Sequence, residues 1–477
     1  MGRAITRDGR HVDFLDDQIG EGGEKIVFFT PDKREVVCFY KAPERRSSRR
    51  EQERLTKLLR EYNPTRSDNP KIAAHFSELF CWPTAIIDDP KLGIITPTYP
   101  SKFFFTDGKK PFIIGKEKNV VYHTGKSRRF LADEDLGNFY TKIRACLHIS
   151  RATRKLHFTG IAHTDLSNNN VLIDLREGTA VIIDLDSAAV PNYYPPTVLG
   201  TKGYIAPEVM QTAHLEEGDE NIVMPSIKTD QHALAVLIYE ILFLRHPLEG
   251  KLIHDHSCTE EDERLAKGER ALFIEDPTDR SNRPDLLQGS ELTIDSLHTL
   301  RDNFIKTFSR GLHKPELRAT APSWEKALLN TIDLTIPCEN SGCKERFFLY
   351  ADDGGRPRCP FCNTTYSRSI PIIKLLRTNG RNRYHPVGKI AGYHRRTLFE
   401  YHIFQNRNAD ETAENTPHAQ ILFHNGQWML KNISIESGIR TEQENIVQKG
   451  RAIPLETGTK LTLAGHGSYI AEISITR

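Results

Sequence analysis

The sequence predicts an α+β protein of more than one domain, and three observations carry that prediction. Residues 1 to about 100 alternate short β-rich runs around one charged helical stretch, Ser48 to Tyr62. Helical periodicity governs the middle of the chain: Leu136 to His157, a strongly apolar stretch over 227–248, and Leu297 to Leu329, broken near Gly311 to Pro315. After that comes a cysteine-rich module over 336–370. Strand-like alternation then fills 380–477, punctuated by Asn425-Gly426, Ser437-Gly438 and Gly458. At roughly 150 residues per domain, a length of 477 allows about three.

Composition narrows the class. A hydrophobic content of 38%, a charged content of 27% and a net charge of +2 are those of a soluble globular protein without a dedicated polyanion partner, so nucleic acid is not expected. The longest apolar run, Ala233 to Leu244, is interrupted by Glu240 and is too short to span a bilayer, and no signal-like stretch opens the chain. Met1-Gly2 with Thr6 satisfies the loose lipidation pattern by chance. A cytoplasmic protein with no membrane partner is expected. Of eight cysteines, Cys38, Cys81, Cys146 and Cys258 are scattered, whereas Cys338, Cys343, Cys359 and Cys362 form C-x4-C and C-x2-C pairs across a 15-residue gap, a spacing suited to a metal in a reducing compartment.

Taken in order, the β-rich lobe opens with "IGEGGEKIVFF", where Gly20, Gly22 and Gly23 precede the β-branched Ile26-Val27. Glycines let backbone N–H groups approach phosphates closely. Lys41 ends the strand-like "EVVCFYK", 14 residues after Val27, a distance suited to a hairpin return that brings an ammonium to phosphate. Residues 101–130 are basic and aromatic and read as an inserted hairpin or flap. In "IAHTDLSNNNVLID", Asp165 is placed to accept a proton from a hydroxyl, and Asn170 offers a neutral oxygen to a magnesium ion. "AVIIDLDSA" sets Asp184 at the end of an apolar strand, where a carboxylate can hold Mg²⁺ between phosphates.

These segments resemble the protein kinases. "HTDLSNNN" is similar to the H-R-D-L-x-x-x-N loop, "DLD" stands where D-F-G would, and "GTKGYIAPE" is similar to the segment ending in A-P-E. Asp230 opens the apolar helix that follows, and Arg318 is placed to pair with Glu208. The resemblance covers about 10–332. It implies a bilobal fold with an N-lobe over about 1–100 and a C-lobe over about 101–332, and ATP in the cleft. Asp165 would be the catalytic base, Asn170 and Asp184 would sit on magnesium, Lys41 on the phosphates, and Glu53 would pair with the lysine, with Glu51 as the alternative. Ser/Thr is the expected acceptor, because Thr201 precedes the A-P-E segment within reach of Asp165.

The chain departs from the family pattern at several positions. Lys25 occupies the third glycine position, Phe39 replaces a small alanine, which would narrow the adenine site, and a shifted register would put Cys38 at the lysine position. Ser167 replaces a lysine, Asp186 a glycine, and Thr164 the loop arginine, so activity should not require phosphorylation of Thr197 or Thr201.

Four thiolates at the spacing of Cys338, Cys343, Cys359 and Cys362 can close a structural Zn²⁺ site, and "RFFLYADDGGRPR" between them reads as two strands of a zinc ribbon, residues 333–370. The tail, 371–477, resembles a forkhead-associated β-sandwich, with His418-Ala419 and Trp428 in matching order. Asn415 stands where serine is expected, Ser437 where asparagine is expected, and Arg407 lies close by. The combination resembles the bacterial kinase of tellurium-resistance-type phosphorylation triads. That implies a protein substrate, with a von Willebrand A-domain protein and a metal-dependent protein phosphatase as partners. A nucleotide-binding pseudokinase scaffold is the alternative reading.

Overall fold

Seven strands build the first sheet, and their side-chain parity decides what faces the site. They are β1 (Gly2–Thr6), β2 (His11–Phe14), β3 (Gln18–Glu21), β4 (Lys25–Phe29), β5 (Glu35–Tyr40), β6 (Ala85–Asp89) and β7 (Gly93–Pro97). Their order is β2-β1-β6-β7-β5-β4-β3, and every pairing is antiparallel. The computed structural model describes the chain except residues 22–23, 42–48, 191–199, 216–218, 285–291, 352–354, 379–382, 405–415, 464–468 and 477. β5 (EVVCFY) is rich in β-branched and aromatic residues, as a central strand should be. Val37 and Phe39 share one face and enter a core with Ala4, Val12, Ala85, Ile87 and Ile95. Val36 and Cys38 take the opposite face, as the two-residue period of a strand requires.

Helix α1 (Arg49–Arg60) buries Glu51, Arg54, Leu55, Leu58 and Leu59, a three-to-four-residue stripe, and leaves Glu53 exposed. Residues 101–130 hold a short hairpin-like pairing: Phe104 and Glu117 bridge antiparallel, and Phe105 N donates to Lys116 O at 2.9 Å while Lys118 N donates to Phe103 O at 2.8 Å. Around it the segment folds as short 3₁₀ turns at Ser101–Phe103, Pro111–Ile113 and Lys126–Phe130, with one helical turn at Val120–Thr124. Its apolar residues fix it in place: Phe105 and Ile113 bury with Leu131 in a small local core. Buried Lys118 pins the segment by pairing with Asp135 (2.8 Å) and Asp174 (3.0 Å).

Helix α2 (Phe139–Phe158) leads to the hairpin β8 (Val171–Asp174) and β9 (Thr179–Ile182). Helix α3 (Ile227–Phe243) is buried nearly all round, which accounts for the apolar run from Ala233 that only Glu240 breaks. Ser226 caps it, accepting from Lys228 N while Thr229 Oγ1 accepts from Ser226 N. Arg318 pairs with Glu208 at 2.7 and 2.6 Å, as expected, and also donates to the carbonyls of Lys228, Gly311 and Leu312.

The chain divides into two units, one of Met1–Gly137 with Arg144–Glu325 and the other of Asn138–Ile143 with Lys326–Arg477. In the second unit, β10 (Thr335–Pro337) and β11 (Phe347–Leu349) form a hairpin beside the four clustered cysteines. A six-stranded antiparallel sheet follows: β12 (Ile370–Thr378), β13 (Tyr384–Ala391), β17 (Ile439–Thr441), β18 (Ile446–Val447), β20 (Lys460–Thr462) and β21 (Tyr469–Thr476). The four-stranded sheet is β14 (Arg396–Phe399), β15 (Pro417–His424), β16 (Gln427–Asn432) and β19 (Ala452–Pro454). Residues of both sheets, among them Ile373, Ile473, Ile421 and Leu430, share one core, so the tail is a sandwich. A second core joins Ile336, Cys343, Phe348 and Cys359 to Ile370 and Ile372. The expected boundary at residue 370 is therefore bridged by packing.

Candidate active site

The loop between α2 and β8 is held from below by one carboxylate. Asp230, buried in the first turn of α3, accepts from His163 N (2.7 Å) and Thr164 N (3.0 Å) and meets His157 Nε2 at 3.2 Å. His163 is fully buried, and its Nε2 donates to Ile183 O at 2.9 Å, tying the loop to the segment that carries Asp184. Thr164 adopts φ 71° and Asp184 φ 61°, a left-handed conformation uncommon for non-glycine residues and frequent at functional turns.

This framework brings Asp165, Asn170 and Thr201 together beside the segment of Asp184. Asp165 Oδ1 accepts from Thr201 Oγ1 at 2.7 Å and its Oδ2 accepts from Asn170 Nδ2 at 2.8 Å, while the same amide donates to Asp165 O. Asn170 O in turn accepts from Ile183 N at 3.0 Å, next to Asp184. Gly200 sits at φ 112°, a backbone conformation that favours glycine at this turn.

A cavity of about 270 Å³ opens beside Asp184. Val27, Val36, Ile94 and Phe104 give it apolar walls, and Lys25, Asp184 and Asp186 close its polar end, with Gly20 on the rim. Gly22 and Gly23 lie outside the described residues. Lys25 Nζ donates to Asp184 Oδ1 and, at 2.7 Å, to Asp186 Oδ1, while Tyr40 Oη donates to Asp186 Oδ2 at 2.6 Å. Burial disfavours every charge in this cluster. For Lys25 the two carboxylates outweigh burial and raise its pKa; for Asp186 the ammonium and the Tyr40 hydroxyl outweigh it and hold the carboxyl low. Asp184 goes the other way, raised by burial and by Asp186 despite Lys25.

Three expectations need correction. Lys41 does not line the cavity: it follows β5 with the parity of Val37 and Phe39, and its backbone N–H closes onto Glu24 O at 2.8 Å. Cys38 faces the cavity instead, opposite Val27, with burial pushing its thiol up to about 12. Phe39 does not narrow the cavity, because it points into the core on the other face. Glu53 pairs with Arg49 at the surface, and the alternative, Glu51, is committed to Arg54 through two bonds of 2.6 and 2.9 Å. Arg54 also donates to Asp186 O (2.5 Å) and Ala188 O (2.7 Å), so α1 braces the backbone around Asp186. Sequence reading missed Lys25, Tyr40 and Arg54. The lysine at a glycine position was the available signal.

In the second unit the sulfurs of Cys338, Cys343, Cys359 and Cys362 all lie within 4.8 Å of one another, with Cys338–Cys362 at 3.5 Å and Cys343–Cys359 at 3.8 Å. In the tail, His418 Nδ1 meets Ser434 Oγ at 3.0 Å, and Trp428 is buried against Phe423. Arg407 and Asn415 lie outside the described residues.

Residues 122–308 match the family model for the protein kinase domain. The serine/threonine-protein kinase PSK2 of Saccharomyces cerevisiae is 34% identical over 112 residues, 22% of this chain and 9% of that protein. A probable LIM domain-containing serine/threonine-protein kinase of Dictyostelium discoideum is 24% identical over 190 residues, 38% of this chain and 27% of that protein. The chain thus spans well under two thirds of the curated relatives it matches. Among solved structures, the kinase domain of a Toxoplasma gondii rhoptry antigen covers 69% of this chain and 85% of its own at a TM-score of 0.40 and 14% identity. The matched residues 122–308 hold Asp165, Asn170, Asp184 and the A-P-E segment, so the likeness to the protein kinase domain falls on the site described above.

Proposed function

We propose that this protein is an ATP- and Mg²⁺-dependent Ser/Thr protein kinase. The observation that carries this reading is the joint anchoring of Asp165 by Thr201 and Asn170, with Asn170 O bonded in turn to Ile183 N beside Asp184. Asp165 would accept the proton of the incoming hydroxyl, and the Thr201 hydrogen bond orients its carboxylate toward that task. Asn170 and Asp184 fit a magnesium ion on charge grounds: Asp184 and Asp186 together outnumber Lys25, leaving one negative charge at the polar end of the cavity. Bound there, the ion would neutralise charge on the phosphates during transfer.

The second unit supports a structural role and a recruiting role. Zn²⁺ held by four thiolates at about 2.3 Å in a tetrahedron spaces its sulfurs about 3.8 Å apart, close to the 3.5 and 3.8 Å pairs of the cysteine cluster. Four cysteine ligands leave no open position, so this metal would brace the β10–β11 hairpin rather than act chemically. The sandwich would recruit the protein substrate or partners such as a von Willebrand A-domain protein and a metal-dependent phosphatase in the cytoplasm. No helix among the described residues is long and apolar enough to cross a membrane.

Transfer from labelled ATP with Mg²⁺ tests the reading, with wild type and Asp165→Asn offered the protein itself, a generic Ser/Thr substrate and a von Willebrand A-domain protein. Label on Ser or Thr that is lost in the variant is expected. ATP binding with no transfer to any acceptor would replace the kinase with a nucleotide-binding scaffold.

A further inference from the structure

A phosphate-binding lysine must reach the polar end of the cavity beside Asp184, and it must be held there by an anion. On β5 the residue facing that place is Cys38, which carries no charge to offer. Lys41 lies beyond the end of the strand and outside the cavity lining. One strand over, Lys25 stands opposite Tyr40 and projects into the cavity, where its side chain is only 16% exposed and bridges Asp184 and Asp186. The anion that a lysine in this position needs is not supplied by α1, since Glu51 is engaged by Arg54 and Glu53 is at the surface. It is supplied by Asp186, whose other oxygen is fixed by Tyr40 and whose backbone carbonyl is fixed by Arg54.

We infer that Lys25 is the lysine that contacts the nucleotide phosphates, and that Asp186, braced by Tyr40, is its positioning residue in place of a helix glutamate. The inference rests on the kinase reading above and names the cation of the same site. Two features of the sequence that look like losses, a lysine at a glycine position and an aspartate at another, are then the two halves of one device. Geometry makes the exchange feasible. Lys25 pairs with Tyr40 and Cys38 with Val27, so Lys25 and Cys38 are diagonal neighbours on one face of the sheet, about 7–8 Å apart, and a lysine at either place reaches the same end of the cavity.

The test compares wild type with Lys41→Ala, Lys25→Met, Lys25→Arg, Asp186→Asn and the double variant Lys25→Met/Cys38→Lys, reading the affinity for Mg·ATP together with KM and kcat of transfer. Lys41→Ala should stay within threefold of wild type in all three quantities. Lys25→Met should lose at least 100-fold in kcat/KM and bind Mg·ATP more weakly. The double variant should recover at least tenfold over Lys25→Met, because it returns the ammonium from the neighbouring strand. Asp186→Asn should fall between wild type and Lys25→Met. Lys25→Arg keeps the charge at Asp186, so it separates failed folding from failed chemistry: a cooperative melt like that of wild type with impaired transfer is expected. Equal loss from Lys41→Ala and Lys25→Met, or transfer by Lys25→Met within threefold of wild type, would overturn the inference. If wild type itself transfers nothing, the kinase reading falls, and the Mg·ATP affinities alone still decide between Lys25 and Lys41.

Discussion

Replacing Arg318 by methionine should loosen the segment that carries Glu208, and the structure sets the size of the effect. The Arg318 side chain is fully buried and Glu208 is 20% exposed, so their two bonds operate away from bulk water. The substitution leaves a largely buried carboxylate without its counter-charge, which typically costs about 3–5 kcal/mol. It also removes donors from the carbonyls of Lys228, Gly311 and Leu312. With partial relaxation onto water these add about 1 kcal/mol, for a total near 4–6 kcal/mol. Glu208→Gln keeps an acceptor in place and should cost only about 1–3 kcal/mol, and the double variant should fall short of the sum by about 1–3 kcal/mol because the two residues share one interaction. Hydrogen exchange read by mass spectrometry resolves the result by segment, which suits a chain of two units better than one global melt. Protection should fall in Pro207–Thr212 and in the first turns of α3, while the sandwich core of β12 and β21 keeps its protection. A loss below 1 kcal/mol in Pro207–Thr212, or additive single and double variants, would refute the claim that this pair anchors the segment.

Further outcomes follow from other sites. Removing metal with a chelator, with Mg²⁺ then restored, should release one zinc by native mass spectrometry and raise exchange across 338–362 and in Ile370 and Ile372, which share that core, while Mg·ATP affinity holds; unchanged exchange would contradict a structural metal. Glu53→Ala should alter neither nucleotide binding nor stability beyond about 0.5 kcal/mol, since the Glu53 side chain is itself 50% exposed and its bond to Arg49 is a surface pair. Arg54→Met, by contrast, should cost about 3 kcal/mol or more by stranding Glu51 and the carbonyls of Asp186 and Ala188; equal effects of the two substitutions would be inconsistent with the observed pairing. Burial, with the nearby Glu249 adding to it against the Tyr204 hydroxyl and Lys267, raises the Glu240 carboxyl from 4.5 to about 7. The folded state therefore holds this proton where the unfolded chain has released it, so the favourable contribution is complete below about 4.5 and is lost as pH rises through about 7. Glu240→Gln should gain on wild type by up to about 3 kcal/mol between pH 5 and pH 8.5 in urea melts; a stability difference independent of pH would refute this.

What was legible in the sequence was whatever lies within one short segment. Asp165 and Asn170 are five residues apart on a single loop, and Asp184 ends the hairpin that follows, so local spacing alone brought them together. Arg318 with Glu208 was readable despite its separation, because both flank recognisable segments. The lysine was not, for a physical reason. A one-residue change of parity on a strand reverses the face, and counting 14 residues from Val27 crosses a hairpin whose turn length is free. The register that resolves the question pairs Val27 with Cys38 and Lys25 with Tyr40. The helix acids failed similarly: Glu51 and Glu53 differ by two residues, which on a helix is the difference between buried and exposed. In the 101–130 segment the pairing of 103–105 with 115–118 was readable from its glycine and lysine turns, whereas the 3₁₀ turns around it were not, because Phe105 and Ile113 fill a core of their own.

The arrangement around Asp186 changes what α1 can control. Where a helix glutamate holds the lysine, moving the helix withdraws the cation's partner directly. Here α1 holds backbone: Arg54 bonds the carbonyls of residues 186 and 188, and the Asp186 side chain then fixes Lys25 with help from Tyr40 on β5. Displacing α1 would strand Arg54 and free the 186–188 backbone, so its effect on Lys25 would pass through Asp186 and Asp184 together. Lys25 and Asp184, the carboxylate proposed to hold magnesium, are thus fastened to one segment, and a disturbance there would be felt by both. A site built this way loses independent adjustment of its lysine, and it gains a single point, the buried Arg54–Glu51 pair, on which the geometry of the polar end depends.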